Sequence, residues 1–207
     1  MKNFLPKQYQ KTTKLKINHN YLFEQFSDYS KIFKEIEKVV KRGDYTLGGK
    51  VDEFEKNFSK RVGAKYVIAV GNGTDALFLS LKALNIGKGD EVITVPYTFV
   101  ATVGSIATAG AKPVFVDIKD DYNIDENKII SAITKKTKAI MPVHWAGRPC
   151  ELDKIKKIAK KYNLKIIQDG SQGIDSRFKN KQLISFGDIC TYSMHPLKNL
   201  NIWGDGG

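Results

Sequence analysis

The chain has 207 residues, 42% of them hydrophobic, enough to bury a core and fold as one domain. No apolar run approaches the roughly 18 residues that a membrane-spanning helix needs, and two cysteines, Cys150 and Cys190, supply neither a disulfide framework nor a metal-binding spacing. The net charge of +12, from 34 Lys and Arg against 22 Asp and Glu, draws in anionic small molecules but does not point to nucleic acid, because acids interleave the lysines, as in Lys34-Glu-Ile-Glu-Lys38, and no stacking aromatics alternate with them.

The N-terminus, Met1-Lys-Asn-Phe-Leu-Pro-Lys-Gln, is polar and has no apolar signal core, so a cytoplasmic protein is expected. Residues 1–30 read as an irregular arm whose aromatics, Tyr9, Tyr21, Phe23 and Phe26, must pack on something. Ser30 is placed to cap a helix over residues 31–41, with Ile32, Ile36, Val39 and Val40 on one face and Arg42-Gly-Asp as its stop. Leu47-Gly-Gly49 is a turn, and residues 51–61 form a second amphipathic helix carrying Phe54 and Phe58.

From Lys65 the pattern changes to short apolar runs alternating with helices. Residues 66–70 predict a buried strand, 75–84 a helix with Leu77, Leu81 and Leu84 on one side, 91–95 a strand and 99–109 a helix. Next come a strand at 113–116, a helix around 126–133, a strand at 137–142, a helix at 152–162 and a strand at 164–168. This alternation predicts an α/β fold of three layers, α/β/α, with a mostly parallel sheet covered by helices on both faces. In such sheets ligands sit beyond the carboxyl ends of the strands. Chemistry is therefore expected at residues 71–75, 96–99, 144–147, 169–172 and 193–198.

The residues at those places have more than one reading. Gly71-Asn-Gly-Thr-Asp75 is either a plain connection or a turn whose helix-start amides and Thr74 hydroxyl hold an anion. Its Gly71-x-Gly73-x-x-Ala76 pattern also fits a dinucleotide site, but no acid stands after the next strand to hold a ribose; Pro96-Tyr-Thr-Phe99 stands there instead. Phe99 or Tyr97 can stack on a flat ring or simply join the core. Asp169, at the mouth of a buried strand, either caps the next helix or pairs with a pyridinium nitrogen, with Gln172 one turn further on. His144 and His195 are isolated histidines, and three in the chain make no metal cluster. Lys198 follows a hydroxyl, an imidazole and a proline and precedes a Gly-rich end. It is either a solvated lysine or an amine that condenses with an aldehyde, as lysines do with pyridoxal phosphate.

Gly71-Asn-Gly-Thr-Asp-Ala-Leu77, Gly89-Asp-Glu-Val-Ile-Thr94, Thr98-Phe-Val-Ala-Thr102, Pro142-Val-His-Trp-Ala-Gly147, Asp169-Gly-Ser-Gln172, Ser185-Phe-Gly-Asp188 and Ser193-Met-His-Pro-Leu-Lys-Asn199 occur in this order. From about residue 30 to the end, the chain resembles the DegT/DnrJ/EryC1/StrS family of sugar aminotransferases, which use pyridoxal 5'-phosphate on the aspartate-aminotransferase fold (fold type I). The resemblance implies Lys198 as the Schiff-base lysine and proton shuttle, and Asp169 on the pyridine nitrogen. It implies Gln172 on the 3-hydroxyl side, Phe99 stacked on the ring, and Gly73, Thr74, Asp75 and Ser193 around the phosphate, with no metal. It further implies glutamate and a nucleotide-linked ketosugar as substrates, in amino-sugar or surface polysaccharide synthesis, and a homodimer.

Relatives that dehydrate sugars carry histidine where this chain has Lys198, so transamination is expected. Two departures from the family pattern stand out. Gln168-Asp-Gly-Ser-Gln172 replaces the usual Glu-Asp-Ala-Ala/Ser-Gln. Family members also continue for nearly as much chain again, so 1–30 is expected to be an arm, 31–207 an incomplete cofactor-binding large domain, and the small domain absent. A nicotinamide-linked oxidoreductase and a non-catalytic truncated family member are the alternative readings.

Overall fold

Runs such as Glu91-Val-Ile-Thr94 and Lys165-Ile-Ile-Gln-Asp169 are apolar at successive positions, which suits strands covered on both faces. Five of them form one parallel sheet in the order β2-β1-β3-β4-β7, from β1 (Glu91–Thr94), β2 (Lys112–Phe115), β3 (Thr137–Ile140), β4 (Lys165–Asp169) and β7 (Ile189–Thr191). The small antiparallel pair β5 (Arg177–Phe178) and β6 (Lys181–Gln182) lies between β4 and β7 in the chain and has no counterpart in the sequence expectations. The computed structural model describes residues 21–207, which fall into two compact units divided between Gly43 and Asp44.

The first unit contains α1 (Leu22–Gln25) and α2 (Tyr29–Arg42). Helix α2 ends at Gly43 in the left-handed conformation, φ 66°, as the Arg42-Gly stop predicts. It starts earlier than expected: Asp28, not Ser30, stands at the N-cap, and the Asp28 carboxylate pairs with Lys31 at 2.6 Å instead of capping an amide. The apolar face of α2 is open, with Ile32, Ile36 and Val40 exposed. Of the arm's aromatics, Tyr21 and Phe23 are exposed and Phe26 is half-buried, while Tyr9 lies outside the described residues.

The second unit carries α3 (Gly49–Val62), α4 (Gly73–Ala83), α5 (Val100–Thr108), α6 (Leu152–Tyr162) and the sheets. Alternate strand residues enter opposite layers of the core. Val92, Ala139, Met141 and Ile167 pack with Leu77, Leu81 and Ile106 of α4 and α5. Their neighbours Ile93, Ile140 and Ile166 pack with Leu152, Ile155 and Ala159 of α6. The expected three layers are therefore present. A smaller cluster joins Phe58 and Val62 of α3 to Tyr192 and Met194, with the Phe58 and Tyr192 rings 5.3 Å apart.

Two elements differ from expectation. Residues 66–70 form no strand, and Tyr66 and Ile68 are 75% and 77% exposed. Among the described residues no strand lies beside residues 66–69 to complete a ladder, and of residues 66–70 only Val70 exchanges both backbone bonds, with Gly207. An apolar groove of about 780 Å³ separates residues 65–70 from β7, and Gly207, Val70 and Met194 are among its lining residues. The helix expected around 126–133 reduces to a 3-10 turn, Ile130–Ala132. Side chains compete with helical bonding there. The Asp125 carboxylate accepts from the Asn127 amide, the Ser131 hydroxyl donates to the Lys128 carbonyl, and the buried Glu126 carboxylate is drawn to Lys119 and Lys154 at 2.9 and 2.7 Å.

The two apolar runs are thus energetically unlike. Truncating the fully buried Ile167 (Ile167→Ala) is expected to lower unfolding free energy by about 2–5 kcal/mol, whereas Ile68→Ala, at an exposed site, changes it by less than about 0.5 kcal/mol. Urea unfolding of both variants checks the contrast.

Candidate active site

The parallel strands bring their carboxyl ends to one edge, and the chemically versatile side chains collect there. Asp169 is the last residue of β4 and is buried. Its Oδ2 accepts from the Thr102 hydroxyl at 2.7 Å and its Oδ1 from the Ser171 amide at 3.1 Å. Thr102 in turn lies 2.8 Å from the Thr98 hydroxyl, next to Phe99. The segment bearing Phe99 is thereby tied to Asp169, while the Phe99 side chain itself is 66% exposed.

Gln172 and Lys198 line one cavity of about 290 Å³, together with Ala146, Leu197 and Asn199. The Ala146 amide donates to Gln172 Oε1 at 2.8 Å, which leaves the Gln172 amide hydrogens for a ligand. Ala146 holds a left-handed backbone, φ 50°, to make that contact. Lys198 is half-buried, its backbone amide donates to the His195 carbonyl, and its amine makes no ion pair among the described residues. The groove along β7 is larger than this cavity, but its lining is dominated by apolar side chains and includes none of the expected catalytic groups.

Gly73 and Ser193 meet although 120 positions apart in sequence: a Cβ on Gly73 would stand 2.6 Å from the Ser193 Cβ, so only glycine fits. The Asn72 side chain caps α4 by accepting from the Asp75 amide at 2.8 Å. Asp75 therefore contributes its carboxylate and not its amide to the surroundings, while the Gly73 and Thr74 amides carry no helix bond and Thr74 is exposed. Ser193 Oγ accepts from the His195 amide and keeps its own proton to donate. Two amides at a helix start beside a hydroxyl donor make a cradle for an anion such as a phosphate.

The two site histidines serve structure. His144 is fully buried; its Nδ1 accepts from the Cys150 amide at 3.2 Å, so Nε2 carries the proton and donates to Gln168 Oε1 at 3.0 Å. Gln168 passes the chain on, donating to the Leu183 carbonyl at 2.8 Å. Gln168, where the family pattern usually has an acid, thus completes a satisfied neutral network behind Asp169. His195 is exposed, and its Nδ1 accepts from the Leu197 amide. The sequence reading missed the hydroxyls of Thr98 and Thr102 as site groups. The available signal was their spacing of four at a helix start, which puts both on one face. Among the described residues no group of three or more His, Cys, Asp or Glu side chains is arranged to hold a metal ion.

Residues 27–207 match the DegT/DnrJ/EryC1/StrS aminotransferase family. A pleiotropic regulatory protein of Geobacillus stearothermophilus is 43% identical over 188 residues, 90% of this chain and 50% of its own length. The UDP-2-acetamido-2-deoxy-3-oxo-D-glucuronate aminotransferase of Pseudomonas aeruginosa is also 43% identical, over 86% of this chain and 50% of its own. A solved structure of NtdA from Bacillus subtilis with bound cofactor PMP superimposes with a TM-score of 0.84 at 34% identity, covering 94% of this chain and 45% of that one. The chain spans about half the length of the curated relatives it matches.

Burial pushes the His144 imidazole down to about 4, against the opposing pull of its Gln168 bond and the Asp169 charge. The unfolded chain takes up this proton near pH 6.5 and the folded one near pH 4, so stability is full above 6.5 and falls as pH drops toward 4. The shift corresponds to a loss on the order of 3 kcal/mol across that window. His144→Gln is expected to flatten this part of the profile, read by urea unfolding between pH 4 and 8.

Proposed function

The chain belongs to the DegT/DnrJ/EryC1/StrS aminotransferase family, and from that premise we propose that the protein transfers an amino group from glutamate to a keto group on a nucleotide-linked sugar, with pyridoxal 5'-phosphate bound at the edge described above. The observation that carries the reading is the cavity shared by Lys198 and Gln172, three residues beyond Asp169. The residues present fit the cofactor. A cradle at Gly73 that admits no Cβ suits its phosphate, and a buried carboxylate with unused acceptor positions suits a ring nitrogen. The net charge of +12 favours the approach of anionic cofactor and substrate alike.

When bound, the cofactor supplies an aldehyde that condenses with primary amines and a ring that accepts the electron pair left by a departing proton. The chain's own groups do the rest. The Gly73 and Thr74 amides and the Ser193 hydroxyl would hold the phosphate end; Asp75, expected there too, has its amide spent on Asn72 and a carboxylate that can only accept, so it would border the phosphate without binding it. Asp169 would accept from the ring nitrogen, the Gln172 amide would donate to the ring oxygen, and Phe99 would cover a ring face. Lys198 would be the amine that meets the cofactor's aldehyde. The same amine would hold and move the proton at the glutamate Cα and at the carbon of the sugar that receives nitrogen.

Phe99, Val100 and Leu197 are 66%, 71% and 55% exposed beside the site, which supports a working homodimer in which a second copy covers them. Two free thiols, Cys150 and Cys190, fit a reducing cytoplasm. A second reading, binding of the cofactor without turnover, is favoured by the relative that is named a pleiotropic regulatory protein. It differs in yielding no 2-oxoglutarate from glutamate.

The test is to incubate the protein with pyridoxal phosphate, reduce with borohydride and map the adduct by mass spectrometry. The expected outcome is a single modified residue, Lys198, and no adduct in Lys198→Ala; an adduct retained in that variant overturns the assignment. Asp169→Ala is expected to weaken cofactor binding about tenfold or more, the size of one charge-assisted hydrogen bond.

A further inference from the structure

Asp169 holds one protein donor on each carboxylate oxygen, the Thr102 hydroxyl on Oδ2 and the Ser171 amide on Oδ1. An ionised carboxylate accepts and never donates, and a hydroxyl has one proton to give. The Thr102 proton is therefore committed to Asp169, and the 2.8 Å contact between the two threonine hydroxyls has a single polarity left: Thr98 donates to Thr102. The result is a directed chain from Thr98 through Thr102 to Asp169, each bond polarised by the next. Thr102 is fully buried, so bulk water does not take its place.

Neither hydroxyl is spent on the helix. Phe99 is the N-cap of α5, no side chain caps that end, and Thr102 meets the helix network only through its backbone, its amide donating to the Phe99 carbonyl at 3.1 Å and its carbonyl accepting from the Ser105 hydroxyl. An ionised carboxylate offers about four acceptor positions; two are used here, and donors on both oxygens oppose rotation about the Cβ–Cγ bond. The remaining positions consequently point in fixed directions.

We propose that Thr102, itself oriented by Thr98, is the positioning residue for the Asp169 carboxylate, holding it in the one orientation that grips the pyridine nitrogen of the cofactor. This rests on the reading that Asp169 meets that nitrogen. The competing role is a structural tie between α5 and β4, and the two roles separate when the ring nitrogen itself is the variable.

The experiment measures dissociation constants of pyridoxal phosphate and of its 1-deaza analogue, in which a CH replaces the ring nitrogen. The proteins are the parent, Thr102→Val, Thr102→Ser and Thr98→Val, with the melting temperature of each recorded without cofactor. The parent is expected to prefer pyridoxal phosphate about tenfold or more. Thr102→Val loses most of that preference while its affinity for the deaza analogue stays near the parent's; Thr102→Ser restores it, and Thr98→Val gives an intermediate ratio. An unchanged ratio in Thr102→Val, or equal weakening of both ligands in step with a lower melting temperature, overturns the proposal and leaves Asp169 in its role. No preference in the parent overturns the Asp169 reading itself, and this proposal with it. Should Thr102→Val fail to fold, Thr98→Val decides: an unchanged ratio there removes the relay.

Discussion

The parallel pairing of β4 with β7 is the constraint on which the site depends. It sets Asp169 opposite Thr191, and the Gly170 amide then donates to the Thr191 carbonyl at 2.9 Å. A Cβ at Gly170 would meet that carbonyl oxygen at 2.9 Å and the Cys190 sulfur at 3.1 Å, so the close approach needs glycine. Once the two strand ends are locked side by side, Ser193 is carried toward Gly73 and the Lys198 segment toward Gln172.

The polar groups at that edge are expensive to bury singly, and each is found with a partner. The Thr94 hydroxyl donates to the Met141 carbonyl, Thr191 to the Gln168 carbonyl, and His144, Gln168 and Leu183 form a continuous chain. Behind them the layers are apolar, with alternate strand residues packed against α4 and α5 or against α6. An apolar sandwich thus ends in a satisfied polar rim, and spare hydrogen-bonding capacity is left on Asp169, the Gln172 amide, the Ser193 hydroxyl and the first amides of α4. Catalysis by positioning requires this division, because a ligand binds tightest to groups already fixed in place.

Much of the architecture was legible in the residue order, and the failures have physical causes. Strands β1, β2, β3 and β4 and helices α3 to α6 lie where apolar periodicity puts them. Residues 66–70 are more apolar than β4, but a strand exists only with a neighbour, and among the described residues the positions beside 66–69 hold none. Residues 126–133 have a helical pattern that loses to local side-chain bonds at Asp125 and Ser131 and to the ion pairs of Glu126. The N-cap of α2 moved from Ser30 to Asp28 because helix starts turn on one or two residues.

The sequence by itself determined which segments are apolar on which spacing, where the glycines sit, and which residue types stand after each strand, since all of these are local. The layered parallel fold came from that spacing, and the resemblance carried by the ordered motifs implied the family and the candidates Gly73, Thr74, Asp75, Phe99, Asp169, Gln172, Ser193 and Lys198. Only the tertiary structure decided that Gly73 abuts Ser193, that Thr102 donates to Asp169 across 67 positions, and that Ala146 turns Gln172. Strand order and hydrogen-bond polarity are properties of the assembled sheet: each hydroxyl or backbone amide has one proton to give and each edge one neighbour, and which groups receive them is settled when the strands pair.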